Sequence, residues 1–93
     1  MKLIYSVEAV QDRVRIREFI AEKNSSAATR IATELVARIE QLRQFPEMGR
    51  NVAQAPTPNA IQDFVFGNFI VRYAQHSTAI SILRIWHHYE NRE

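Results

Sequence analysis

The residues best equipped for chemistry crowd the end of the chain, in RIWHHYENRE (84–93), with a further arginine, Arg72, upstream. Histidine titrates near neutral pH, so His88 is a candidate for proton transfer or for a phosphate contact. Arginine presents a planar fork of N–H donors suited to carboxylate or phosphate, which makes Arg72 and Arg84 candidate cation sites. Trp86 adds a flat aromatic surface and Tyr89 a hydroxyl. His87 and His88 are adjacent. On an extended chain they point to opposite faces and cannot readily chelate one ion. The chain has no cysteine, which excludes disulfides and cysteine-ligated zinc. No metal and no cofactor are expected.

The elements that must position these groups can be read from spacing. KLIYS (2–6) reads as a short strand, after which Ser6 can cap a helix with Glu8 in its first turn. Apolar residues at Val7, Val10, Val14 and Ile20, with Ile16 and Phe19 beside them, predict an amphipathic helix to about Lys23. Glu8, Asp12, Arg13, Arg15, Glu18 and Glu22 are assigned to its solvent side. NSS (24–26) breaks the helix and offers a new cap. A second helix, from about Ala27 to Gln44, carries one stripe of Ala28, Ile31, Leu35, Ile39, Leu42 and Phe45. Pro46 and Gly49 end it, and RNVAQAPTPNA (50–60) reads as a loop.

The remainder is extended. IQDFVF (61–66) and FIVRYAQ (69–75) flank Gly67-Asn68, a favoured two-residue hairpin turn; AISILRIWHH (79–88) follows HST (76–78) as the last strand. The order is βααβββ. The predicted fold is α+β, an α-hairpin packed on one face of a mainly antiparallel four-stranded sheet, in a single domain over residues 1–93.

Parity assigns faces to these strands. A two-residue turn pairs Asp63 with Arg72, so a cross-strand ion pair accounts for Arg72 as well as a functional role does. A three-residue turn pairs Tyr73 with Ser81 and Ile70 with Arg84, and leaves Arg84 without an acid directly opposite. Phe64, Phe66, Phe69, Val71, Tyr73, Leu83, Ile85, His87 and Tyr89 then share the core face. Asp63, Val65, Ile70, Arg72, Ile82, Arg84, Trp86 and His88 share the outer one.

Bulk properties narrow the classes. With 93 residues the chain suits one modest core rather than two. Hydrophobic residues at 46% and charged residues at 24% are the balance of an ordinary soluble domain. No apolar run suffices for a signal sequence or a membrane span, so a cytoplasmic protein without a membrane partner is expected. A net charge of +2 hints at an anionic partner without demanding one.

The chain resembles the RelE/ParE superfamily of bacterial type II toxin–antitoxin toxins along essentially its whole length. The resemblance rests on the βααβββ order, DRVRIREFIAEKNSSAA across the helix link, FPEMGR (45–50), FVFGNFIVRY (64–73) and ISILRIWHHYENR (80–92). It implies a small toxin, causing growth arrest or stabilising a plasmid, that a cognate antitoxin wraps and silences. A toxin dimer or a heterotetramer with antitoxin also fits it. ParE-like members act on DNA gyrase, whereas RelE-like members cut mRNA in the ribosomal A site.

FPEMGR and LRIWH look more like the ParE branch. The resemblance then implies gyrase inhibition without catalysis, and parity, which puts Arg72, Arg84, Trp86 and His88 on the basic outer face, makes them, with Arg50, the candidate target contacts. The alternative is a ribosome-dependent mRNA endonuclease using His88, Tyr89, Arg84 and Arg72. Some RNA-cleaving relatives end in a His-Tyr pair, which His88-Tyr89 matches. RNA-cleaving relatives commonly carry an arginine three residues before the third-strand tyrosine, where this chain has Ile70. A third reading is a non-toxic module that only titrates its antitoxin.

Overall fold

Two side-chain caps build the helical hairpin. The Ser6 hydroxyl accepts the Ala9 N–H at 2.9 Å and starts α1 (Val7–Lys23). Asn24 ends that helix by donating its N–H to the Ile20 carbonyl, and opens α2 (Ser25–Glu40) by accepting the Ala27 N–H at 3.1 Å. One residue thus serves both helix ends, which makes the link very short. A single 3₁₀ turn (Gln41–Arg43) extends α2. The computed structural model describes residues 1–52 and 60–87.

The sheet differs from the expected one. Its strands are β1 (Lys2–Tyr5), β2 (Arg50–Asn51), β3 (Ile61–Phe66), β4 (Phe69–Gln75) and β5 (Ala79–His87). They form a five-stranded mixed sheet in the order β1-β5-β4-β3-β2, not a four-stranded one. The additional strand is β2, which pairs Arg50 with Asp63 and Asn51 with Gln62. Two residues beside a glycine carry no alternating pattern, so only tertiary pairing reveals this strand. β1 runs parallel to β5, and the other pairs are antiparallel.

The β3–β4 hairpin matches its expected register, Asp63 opposite Arg72 included. Gly67 turns it at φ 54°, a left-handed conformation that costs glycine little. β4 and β5 pair differently from expectation. Gln75 lies opposite Ile80 and Tyr73 opposite Ile82, one residue out of the expected register. A bulge at Leu83 then adds a second residue, so that Arg72 meets Arg84 and Ile70 meets Trp86. Each single step exchanges the faces and two steps restore them. Arg84 and Trp86 therefore stay on the outer face, while Ile82, expected there, is fully buried in the core. Leu83, expected in the core, is the bulge residue.

The helical stripe on α1 is also corrected. The buried residues are Ala9, Asp12, Ile16 and Ile20, whereas Val7, Val10 and Val14 are 69%, 48% and 55% exposed. The buried row has 3-4-4 spacing, but a carboxylate occupies its second place. Hydrophobicity alone turns such a helix the wrong way. On α2 the stripe holds through Ala28, Leu35 and Ile39 and continues to Leu42 in the 3₁₀ turn, whereas Phe45 is exposed. These residues meet Val71, Tyr73, Ile80, Ile82 and Ile85 in one core.

Candidate functional site

The register of β2 to β5 lines up one transverse row on the outer face: Arg50 opposite Asp63, Asp63 opposite Arg72, and Arg72 opposite Arg84. Strands about 4.8 Å apart make such a row about 14 Å long. A second row runs beside it, Val65 opposite Ile70 and Ile70 opposite Trp86. Val65 is well exposed, and Ile70 and Trp86 are partly so. The outer face therefore sets a cationic row beside an apolar one.

Each central arginine carries a carboxylate clamp. Arg72 donates from Nε and Nη2 to the two Asp63 oxygens at 2.9 and 3.0 Å. Arg84 donates from Nε and Nη2 to Asp12 at 2.8 and 3.1 Å. The acid absent from the strand opposite Arg84 thus comes from α1. Both arginines are held more firmly in their charged form: hydrogen bonding to the carboxylate is the largest effect, burial opposes it, and the carboxylate's charge adds a smaller share. Both stack near Trp86, with guanidinium carbons 5.0 and 5.6 Å from the ring centroid.

Asp12 is the hub that sequence reasoning missed. Its side chain is 2% exposed. Besides Arg84 it accepts the Ile85 N–H at 2.8 Å and a hydrogen bond from Arg15 Nη1. Arg15 also reaches the Ile85 carbonyl at 3.2 Å. The side chains of α1 so satisfy backbone groups of β5 beyond the end of β1, on the edge opposite β4. Burial pushes the Asp12 carboxyl up, but the bonds from Arg84, Ile85 and Arg15 outweigh it, and the net effect is downward. An aspartate at the second place of the 9-12-16-20 row was the available signal.

Arg50 is placed by a different device. The Tyr73 hydroxyl donates to the Pro46 carbonyl at 2.8 Å and accepts the Gly49 N–H at 2.9 Å. This pins the chain immediately before Arg50. The approach is so close that a Cβ on Gly49 would lie 2.6 Å from that hydroxyl and 2.9 Å from the Asp63 carbonyl oxygen.

The structure therefore brings Arg50, Arg72, Arg84 and Trp86 together. His87 faces the core as expected, its ring 5.0 Å from Phe69 and 5.4 Å from Phe19. His88 and Tyr89 lie outside the described residues. Across the molecule, α1 and α2 border a groove of about 270 Å³ whose lining includes Val10, Arg13, Val14, Arg17, Ala32 and Leu35. Among the described residues no group of three or more potential metal ligands is found, and no helix is long and apolar enough to cross a membrane.

Comparison with known proteins finds toxins of the RelE/ParE kind. The family profile described as "ParE toxin of type II toxin-antitoxin system, parDE" matches residues 3–92. Toxin RelE1 of Caulobacter vibrioides is 32% identical over 92 residues, covering 97% of this chain and 96% of that protein. A solved structure titled "Chromosomal ParDE TA system from P. aeruginosa" superposes with a TM-score of 0.79, over 94% of this chain and 95% of its own. At 19% identity it shows a shared fold.

Proposed function

The chain belongs to the ParE family of toxins of type II toxin–antitoxin systems, and on that premise we propose that it inhibits DNA gyrase through the outer face of its sheet. The observation that carries this reading is the Arg50–Asp63–Arg72–Arg84 row with Trp86 beside it. Clamped guanidiniums, a partly exposed tryptophan and an adjacent apolar row are the makings of a binding surface. Arginine and tryptophan lead the residue types that dominate interface energies.

RNA cleavage needs a base, an acid and cations aimed at the phosphorane. Here the Nε edges of Arg72 and Arg84 are taken up by Asp63 and Asp12, and Ile70 stands where RNA-cleaving relatives commonly carry an arginine. Both features favour binding over catalysis.

A cognate antitoxin is the partner of toxins in this family, and we place it in the α1–α2 groove. Val10 and Val14 offer apolar contacts, and Arg13 and Arg17 add positive charge. An acidic amphipathic helix complements that surface. A standard interface takes roughly 800 Å² per partner, so such a segment would cover more of α1 and α2 than the groove alone.

The test is binding of purified gyrase by folded variants. Trp86→Ala and Arg50→Ala are expected to weaken gyrase binding, while Val7→Ser, on the far side of α1, leaves it unchanged. Equal affinity for all four proteins, wild type included, would refute the face assignment.

A further inference from the structure

We infer that Asp12 is a positioning residue: from α1 it fixes the Arg84 guanidinium at the end of the target-facing row. The inference rests on the reading of that row as the gyrase-binding surface. Three relationships carry it.

The first is the geometry of the clamp. A carboxylate has about four acceptor positions, and Asp12 receives four donors: two from Arg84, one from Ile85 and one from Arg15. The fork of Nε and Nη2 onto two oxygens sets the plane of the guanidinium as well as its location. Nη1 lies outside that clamp.

The second is the bulge. Leu83 is the extra residue of β5, and the chain around it is held from α1's start. Ser6 donates its N–H to the Ile82 carbonyl at 2.9 Å and its hydroxyl to the Leu83 carbonyl at 2.9 Å. Asp12 takes the Ile85 N–H on the other side. Bulges re-aim side chains, and this one is fastened on both flanks of Arg84.

The third is electrostatic. Arg84 stands directly opposite Arg72, a like-charge pair that repels. Without Asp12 the repulsion would drive Arg84 away from Arg72 and from Trp86, and the row would end at β4. Stability alone is a poor reason for the arrangement, because apolar packing usually serves a helix stripe as well as a buried ion pair does.

The test uses the full chain with Asp12→Asn, Arg84→Ala, Arg84→Lys and the Asp12→Asn/Arg84→Ala double variant. Gyrase affinity, antitoxin affinity and the Arg84 Nε–H resonance are measured on the folded fraction. Arg84→Ala is expected to weaken gyrase binding about tenfold, as an interface anchor does. Asp12→Asn should match that loss, and the double variant should be no worse than either. Antitoxin affinity should stay unchanged, because the groove lies on the other side of α1. The Arg84 Nε–H signal, protected in the wild type, should exchange rapidly in Asp12→Asn.

Wild-type gyrase affinity in Asp12→Asn, beside a loss in Arg84→Ala, overturns the positioning role. So does a further loss when the two are combined. Unchanged gyrase affinity in Arg84→Ala instead overturns the face assignment, and the inference falls with it. If Asp12→Asn does not fold, Arg84→Lys decides the matter. It keeps the charge and lacks the fork, so it should lose as much affinity as Arg84→Ala, and full affinity there contradicts the inference.

Discussion

Arg72 and Arg84 face each other directly across β4 and β5, and each is neutralised by a carboxylate from a different element, Asp63 on β3 and Asp12 on α1. Like charges directly opposite on a sheet destabilise it, and opposite charges contribute about 0.2–1 kcal/mol. The four groups therefore form a balanced set in which removing an acid should differ from removing a base.

That asymmetry is measurable by urea unfolding. Arg72→Ala loses its bond to Asp63 but relieves the repulsion with Arg84, so a loss of under about 0.5 kcal/mol is expected. Asp63→Ala loses the same bond and exposes the repulsion, so about 1 kcal/mol is expected. Equal losses would show that Arg72 and Arg84 do not interact.

Asp12 should govern stability in acid. Its folded pKa lies below its unfolded value because Arg84, Ile85 and Arg15 outweigh burial. Its contribution is therefore fully present above the unfolded pKa, about 3.9, and is lost as pH falls through the folded one. Asp12→Asn should lower stability at pH 7 by about 3 kcal/mol, as breaking a buried pair does. It should also flatten the acid limb of the stability–pH curve. An unchanged acid limb would mean that another carboxylate dominates there.

Tyr73 and Gly49 make a second structural pair. Tyr73→Phe leaves the Pro46 carbonyl and the Gly49 N–H without their partner, at a cost of about 1–3 kcal/mol. Gly49→Ala should cost about 1–3 kcal/mol by overpacking. Tyr73→Phe should not rescue it, because the ring carbon Cε1 and the Asp63 carbonyl still lie within 2.9 Å of the new Cβ. Thermal melts of the two single variants and the double variant check this, and full rescue would locate the whole clash at the hydroxyl.

The groove should behave as a partly electrostatic surface. Val14→Ser is expected to leave stability within about 0.5 kcal/mol, since Val14 is exposed, yet to weaken antitoxin binding. Arg13→Ala and Arg17→Ala should weaken it further at low salt than at high salt. Calorimetric titration at two ionic strengths measures both effects. Salt-independent affinity would remove the charge component.

The legible parts of the chain were those that local chemistry decides. Ser6 is a capping residue in a capping place, and Gly67-Asn68 fixes its hairpin register, so the start of α1 and the Asp63–Arg72 pair can be read directly, whereas α2 starts at Ser25, two residues before the expected Ala27, because Asn24 alone serves as its cap. The parts that stayed hidden depend on distant partners. β2 exists because Asp63 and Gln62 offer it an edge, and the Leu83 bulge exists because Ser6 and Asp12 satisfy its neighbours. Sequence reasoning puts Asp12 on the solvent side because a carboxylate is costly to bury, and that rule fails where four donors meet it. The outer face survived these errors only because two register steps cancel at Arg84 and Trp86.

The central claim is that the outer face serves gyrase inhibition rather than RNA cleavage. The most direct measurement incubates the purified chain with gyrase and supercoiled DNA, then scores gyrase-linked linear DNA for the wild type and Trp86→Ala. The account predicts trapped cleavage complexes with the wild type and a clear loss with Trp86→Ala at equal folded concentration. No trapped complexes with the wild type, from a preparation that cuts mRNA on ribosomes, would contradict it.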